Sequence, residues 1–155
     1  VTIQEQVLDL LSGLQEQNGM SILLITHDLG VVADMCDEAV VMYAGNVVEQ
    51  GRVDDVLLDP RHPYTAGLLA SMPQNRPQNR PQNRPQHHDR SGRLTQIPGR
   101  VPPAWAWPAG CRFHPRCPYA TEVCRQAVPP MVAADGRRIA CVRAGEIDPV
   151  AGWRA

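Results

Sequence analysis

Residues 21–51, SILLITHDLGVVADMCDEAVVMYAGNVVEQG, decide how this chain is built. Ser21 to Thr26 is a nearly continuous apolar run, which predicts a strand buried on both faces, as in a parallel sheet covered by helices. His27 and Asp28 then fall at its carboxyl end. Leu29 to Cys36 suits a short helix, and Glu38 to Tyr43 and Asn46 to Gln50 suit two strands joined around Ala44-Gly45. Upstream, Thr2 and Glu5 make an S/T-x-x-E capping box, after which Ile3, Val7, Leu10, Leu11 and Leu14 recur at helical spacing until Asn18-Gly19. Downstream, Arg52 to Leu58 has helical spacing, Pro60 stops it, and Tyr64 to Ser71 suits one more short helix before Pro73. Helices packed on a parallel strand make the expected class α/β.

Beyond Pro73 the chain changes character. Residues 74–85 read QNRP three times over, and a proline at every fourth position forbids helix and strand alike. Residues 74–93 are expected to be a linker between a first domain, 1–73, and a second, 94–155. In the second, Pro98, Pro102, Pro103, Pro108, Pro115, Pro118, Pro129 and Pro130 leave little room for regular elements, so a small irregular module that needs a staple is expected.

Charge divides the chain at the same place. Residues 1–73 hold 11 Asp and Glu against 2 Arg, while residues 74–155 hold 5 against 13. The 15 basic residues are all arginine. Without a lysine the chain holds no G-x-x-x-x-G-K-[ST] phosphate loop. Nucleic-acid binding is not expected, because the interleaved aromatics of a base-stacking platform are nearly absent at 5% of residues. The longest apolar runs are far shorter than the roughly 20 residues that span a bilayer. No basic region followed by an apolar one opens the chain, so a cytoplasmic location is expected.

Two groups of residues are candidates for chemistry. A parallel strand delivers its last side chain to the carboxyl edge of the sheet, where α/β proteins place their ligands, so His27 is placed to meet a phosphate. A neutral imidazole there can hydrogen-bond a transferring phosphoryl oxygen or an attacking water. The plainer role is a histidine that ties a strand end to its turn. The second group is Cys111, Cys117, Cys124 and Cys141, separated by 5, 6 and 16 residues without a C-x-x-C pair. Disulfides are disfavoured in a reducing cytosol, which leaves free thiols or four thiolates around a metal. Four cysteine ligands suit tetrahedral zinc or a [4Fe–4S] cluster, and Cys117-Pro118 resembles the C-P ending of ferredoxin-type motifs. Cys36 is expected to be a buried small hydrophobe, and His87 and His88 to be solvated.

The wording of residues 23–51 resembles the switch region of ABC ATPases. VTIQEQVLDLL at the start resembles the helix directly after that family's D-loop, and DPRHPYTAGLLASMP at 59–73 resembles the entry to the C-terminal extension of oligopeptide and dipeptide importer ATPases. IPGRVPP at 97–103 and GCRFHPRCPYA at 110–120 resemble the same extension. The resemblance implies the C-terminal part of an ABC-type P-loop ATPase domain followed by a small cysteine-containing extension. It implies that His27 contacts the γ-phosphate of ATP, with Mg2+ and most ATP-binding residues contributed from sequence outside this chain. It also implies transmembrane permease subunits, a second ATPase subunit and an extracytoplasmic peptide-binding protein as partners, and a peripheral place on the cytoplasmic face of the cell membrane. On this reading the chain alone does not hydrolyse ATP. His62 and Tyr64, flanking Pro63, are expected to start a helix rather than to react. The alternative is a non-enzymatic module whose cysteine tail senses a metal or redox state.

Overall fold

The computed structural model describes residues 3–72 and 95–153, so the QNRP repeats and His87 and His88 lie outside the described residues. Two compact units are present, residues 1–37 and 38–155.

The first unit opens with helix α1, Ile3–Asn18. It ends where sequence patterning places its end: Gly19 has φ +61 and its N–H returns to the Gln15 carbonyl at 2.8 Å, a left-handed stop that glycine adopts without strain. Residues 20–26 follow without forming a helix or a strand. The buried parallel strand expected from Ser21 to Thr26 is therefore corrected. Leu23 and Ile25 are 88% and 89% exposed, and no described residue pairs with the segment. The physical reason is that a strand is a property of a pair, since its N–H and C=O groups need a neighbour's ladder. Helix α2, Leu29–Met35, closes the unit and has no buried residue. Cys36, just after it, is half-buried rather than enclosed.

The second unit is built on a sheet in the order β1-β2-β4-β3, with β1 at Glu38–Tyr43, β2 at Asn46–Arg52, β3 at Val132–Ala134 and β4 at Arg137–Ile139. Every pairing is antiparallel. The expected parallel sheet is thus replaced, among the described residues, by hairpins. Ala44 and Gly45 both have positive φ, 47 and 81, the two-residue turn whose twist matches that of its strands. Asp135 and Gly136 repeat the device at φ 51 and 75 and join β3 to β4. That Asp-Gly pair is a hairpin signal that the proline-rich reading of the module passed over. β4 lies against β2 with Glu49 opposite Ile139 and Gln50 opposite Arg138, so residues on both sides of the repeats share one sheet.

Two short helices, α3 at Val53–Leu58 and α4 at Pro63–Ala70, follow β2 within this unit. The core gathers Tyr43, Val48, Ala66, Phe113 and Trp153. Phe113, the one phenylalanine of the chain, is 1% exposed and meets Tyr43 and Tyr64 edge-on at ring separations of 5.1 and 5.3 Å. Near the C-terminus Trp153 donates its indole N–H to the Pro63 carbonyl at 2.8 Å. Gly67 makes room for it, since a methyl there would stand 2.7 Å from the indole. Arg137, 6% exposed, donates to the carbonyl of Asp55 at 2.9 Å and also to that of Asp59, and pairs with the Asp59 carboxylate at 3.0 Å. It thereby places a cation at the C-terminal end of α3, where the helix dipole is negative.

Candidate functional site

His27 stands where the apolar segment meets α2, and its side chain is exposed. Its neighbours set the local backbone. Asp28 N–H donates to Thr26 Oγ1 at 3.0 Å, and Asp28 Oδ1 accepts N–H bonds from Gly30 at 2.9 Å and Val31 at 3.3 Å, the N-cap of α2. The His27 ring itself has no hydrogen-bond partner among the described residues. The geometry is that of a free imidazole on a fixed turn, able to donate or accept one hydrogen bond toward a ligand.

The HPYT stretch is different in kind. His62 is 1% exposed, and its Nδ1 accepts the Tyr64 N–H at 3.0 Å, so the ring caps α4. Burial pushes its pKa down to about 3 and the ring stays neutral. Pro63 occupies the first turn of α4, where its missing N–H costs nothing. The group that organises this corner was not picked out from the sequence. Glu49, on β2 and fully buried, accepts N–H bonds from Arg61 at 2.8 Å and His62 at 3.0 Å. Burial raises its pKa, while the Thr65 hydroxyl, the two N–H groups and the Arg137 charge favour the carboxylate. The only hint in the sequence was an acid directly after Val47-Val48 in β2. The corner is a buried structural lock in which, among the described residues, the Thr65 hydroxyl is left without a hydrogen bond of normal geometry.

Cys124 lies on a short helix, Val123–Gln126, and Cys111, Cys117 and Cys141 lie on irregular backbone of the second unit. Gly110, at φ +72, lets the chain pass against residue 124: the Cys111 N–H meets the Cys124 carbonyl at 2.8 Å, and a methyl on Gly110 would stand 2.4 Å from that oxygen. Cys124 is buried and the other three are half-buried. Burial raises the pKa of Cys111, Cys117 and Cys141, with Cys117 pushed up to about 12, and proximity of the other thiols raises each further. Backbone N–H groups oppose this: those of Phe113 and His114 favour a thiolate at Cys111, that of Tyr119 at Cys117 and that of Arg143 at Cys141. Sulfur donors that feel one another and face N–H groups have the chemistry of a soft-metal ligand set. The geometry is less complete, because among the described residues no three His, Cys, Asp or Glu side chains stand in an arrangement that could hold a metal ion. Cys111 also lines an open cleft of about 270 Å³ between the β1–β2 turn and Val128 to Met131. Beside it Arg112 stacks on Trp107, 3.3 Å from the ring centroid, and donates to the Ala44 carbonyl.

Similarity to known proteins follows these landmarks. Residues 48–124, which run from β2 through the HPYT helix to the third cysteine, match the family model described as the oligopeptide/dipeptide transporter C-terminal region. A Brucella ovis protein named as a peptide import ATP-binding protein is 47% identical over 150 residues, covering 95% of this chain and 42% of that protein. The dipeptide transport ATP-binding proteins DppD of Haemophilus influenzae and Escherichia coli are 42% and 43% identical, covering 91% of this chain in both cases and 39% and 40% of their own lengths. The chain thus spans about two fifths of the length of these relatives. No helix among the described residues is long and apolar enough to cross a membrane. The chain belongs to the family of oligopeptide and dipeptide ABC transporter ATP-binding proteins and carries its C-terminal region.

Proposed function

We propose that this chain is the C-terminal part of the ATP-hydrolysing subunit of an oligopeptide or dipeptide importer, and that His27 is its contact with the γ-phosphate of ATP. One observation carries the reading: likeness to peptide and dipeptide import ATP-binding proteins runs over 95% of the chain and so takes in His27 as well as the extension. The exposed imidazole, without a hydrogen-bond partner among the described residues, suits the role. Phosphoryl transfer asks of such a group only that it hold an oxygen or orient a water where charge develops. ATP and Mg2+ are the cofactors of this reading, with most of their ligands in the remainder of the longer protein. Its partners are the transmembrane permease subunits, a second ATPase subunit and an extracytoplasmic peptide-binding protein, at the cytoplasmic face of the membrane.

The test is peptide-stimulated ATP hydrolysis by the importer assembled with the full-length subunit. His27→Ala is expected to lower kcat by about 100-fold or more while ATP still binds. Native turnover in that variant overturns the assignment, as does strong ATPase activity in this chain by itself.

The same reading gives Cys111, Cys117, Cys124 and Cys141 a metal-holding role, a [4Fe–4S] cluster or alternatively zinc, supported by the N–H groups that face the sulfurs. A bound cation would favour the thiolates against the burial that raises their pKa and would staple a module of short elements. Iron, sulfide and zinc assayed on anaerobically purified protein decide between cluster, zinc and free thiols. Finding neither metal removes the role.

A further inference from the structure

We infer that Thr26 and Asp28 are positioning residues that fix the direction in which His27 presents its ring; this rests on the reading of His27 given above. Both side chains are engaged with backbone rather than with His27 itself. Thr26 Oγ1 takes the Asp28 N–H at 3.0 Å, closing a turn across the histidine. Asp28 Oδ1 takes the N–H groups of Gly30 and Val31, and the Asp28 carbonyl takes that of Val32 at 3.2 Å. The backbone on either side of His27 is therefore held by bonds that span no more than four residues. Every partner lies between Thr26 and Val32, so this shape is written locally and does not wait on a core. Asp28 keeps extended dihedrals, φ −91 and ψ 102, as a residue capping a helix does, and α2 starts immediately after it.

A free ring on a braced backbone is the arrangement that positional catalysis requires, because displacement of a catalytic group by about 1 Å costs about 100-fold in rate. The brace also explains why the two residues flanking the imidazole are small and polar although the run before them is apolar. An apolar residue at position 26 removes the acceptor for the Asp28 N–H, and one at 28 leaves the first N–H groups of α2 without their cap.

The inference is tested in the importer assembled with the full-length ATP-binding subunit, by steady-state hydrolysis, ATP binding and thermal melting of Thr26→Val, Thr26→Ser, Asp28→Ala and Asp28→Asn. Val at 26 and Ala at 28 are expected to lower kcat by about 10- to 100-fold, with KM for ATP within about twofold and the melting temperature little changed. Ser and Asn keep the acceptor atoms and are expected to stay within about threefold of native turnover. Native kcat in the Val and Ala variants overturns the brace. So does a parallel loss of kcat, ATP binding and melting temperature, which marks a merely structural role. Asp28→Asn failing as badly as Asp28→Ala also overturns it, since the carboxylate charge would then act directly. His27→Ala run alongside separates the two readings. If it turns over normally the role of His27 falls, whereas if it is inactive and the Val and Ala variants are not, only the brace falls.

Discussion

Residues 3–37 and 38–153 are organised by opposite kinds of hydrogen bond. Around His27 the bonds span two to four residues, from Asp28 to Thr26 and from Gly30 and Val31 to Asp28. In the second unit Glu49 reaches across to Arg61 and His62, Arg116 to Tyr43, Arg137 to Asp59 and Trp153 to Pro63. Local bonds can set the shape of a site without burying anything. Long-range bonds survive only where apolar burial offsets the entropy of bringing distant segments together. The first unit therefore holds a formed turn beside an exposed apolar segment, and the second holds a core with no free reactive group at the HPYT corner. Perturbations should separate the two.

The largest expected effect is in the core of the second unit. Phe113→Ala empties a site bounded by Tyr43, Tyr64 and Trp153 and should destabilise that unit by about 3–5 kcal/mol, read by denaturant unfolding. The backbone turn around His27 should be unchanged, which NMR amide shifts of Asp28, Gly30 and Val31 would report. A loss below about 1 kcal/mol would show that the ring cluster is not what holds the sheet to α4.

Next is the buried lock. The folded pKa of His62 is about 3 against an ordinary 6.5, so the unfolded chain takes up this proton first. Its stabilising effect is complete above about pH 6.5 and is lost as pH falls toward 3, at up to about 1.4 kcal/mol per pH unit. Glu49 runs the other way: burial raises its folded pKa, so the folded state gains some stability as pH falls toward 4.5 and partly offsets the histidine there. Unfolding free energies measured between about pH 7.5 and 5 should therefore decline toward acid, and His62→Asn, which keeps a capping acceptor but cannot titrate in this range, should flatten that slope. An unchanged slope would mean that the ring is not held neutral.

The same division decides what the sequence could show. α1 with its Asn18-Gly19 end, the hairpin at Ala44-Gly45 and the helix that follows Pro63 were all legible, because periodicity, turn residues and proline act over a few positions. The start of α2 just after His27 and Asp28 was legible for the same reason. Glu49 was not, since nothing near it in sequence says that its carboxylate will meet two N–H groups beyond α3. Nor was the docking of β4 on β2, with the Ala140 N–H on the Val48 carbonyl at 2.9 Å. Pairings across that many residues leave no local pattern, and the density of prolines masked the Asp135-Gly136 turn that brings β4 into place. The Ser21 to Thr26 strand failed in the opposite direction: the composition is that of a buried strand, but pairing needs a partner that no described residue supplies.

The smallest effect sharpens that last point. Ile25 is 89% exposed, so Ile25→Ser in this chain removes almost no buried surface and should shift its unfolding free energy by no more than about 0.5 kcal/mol. In the full-length ATP-binding subunit proposed above, where a buried parallel strand would have neighbours on both sides, loss of the same apolar side chain should cost about 2–5 kcal/mol. The difference between the two measurements, rather than either alone, tests whether the apolar wording of residues 21–26 is addressed to a sheet completed by other sequence. Equal small effects in both would mean that the segment stays outside any sheet, and His27 would then stand on an extended arm rather than at a strand end.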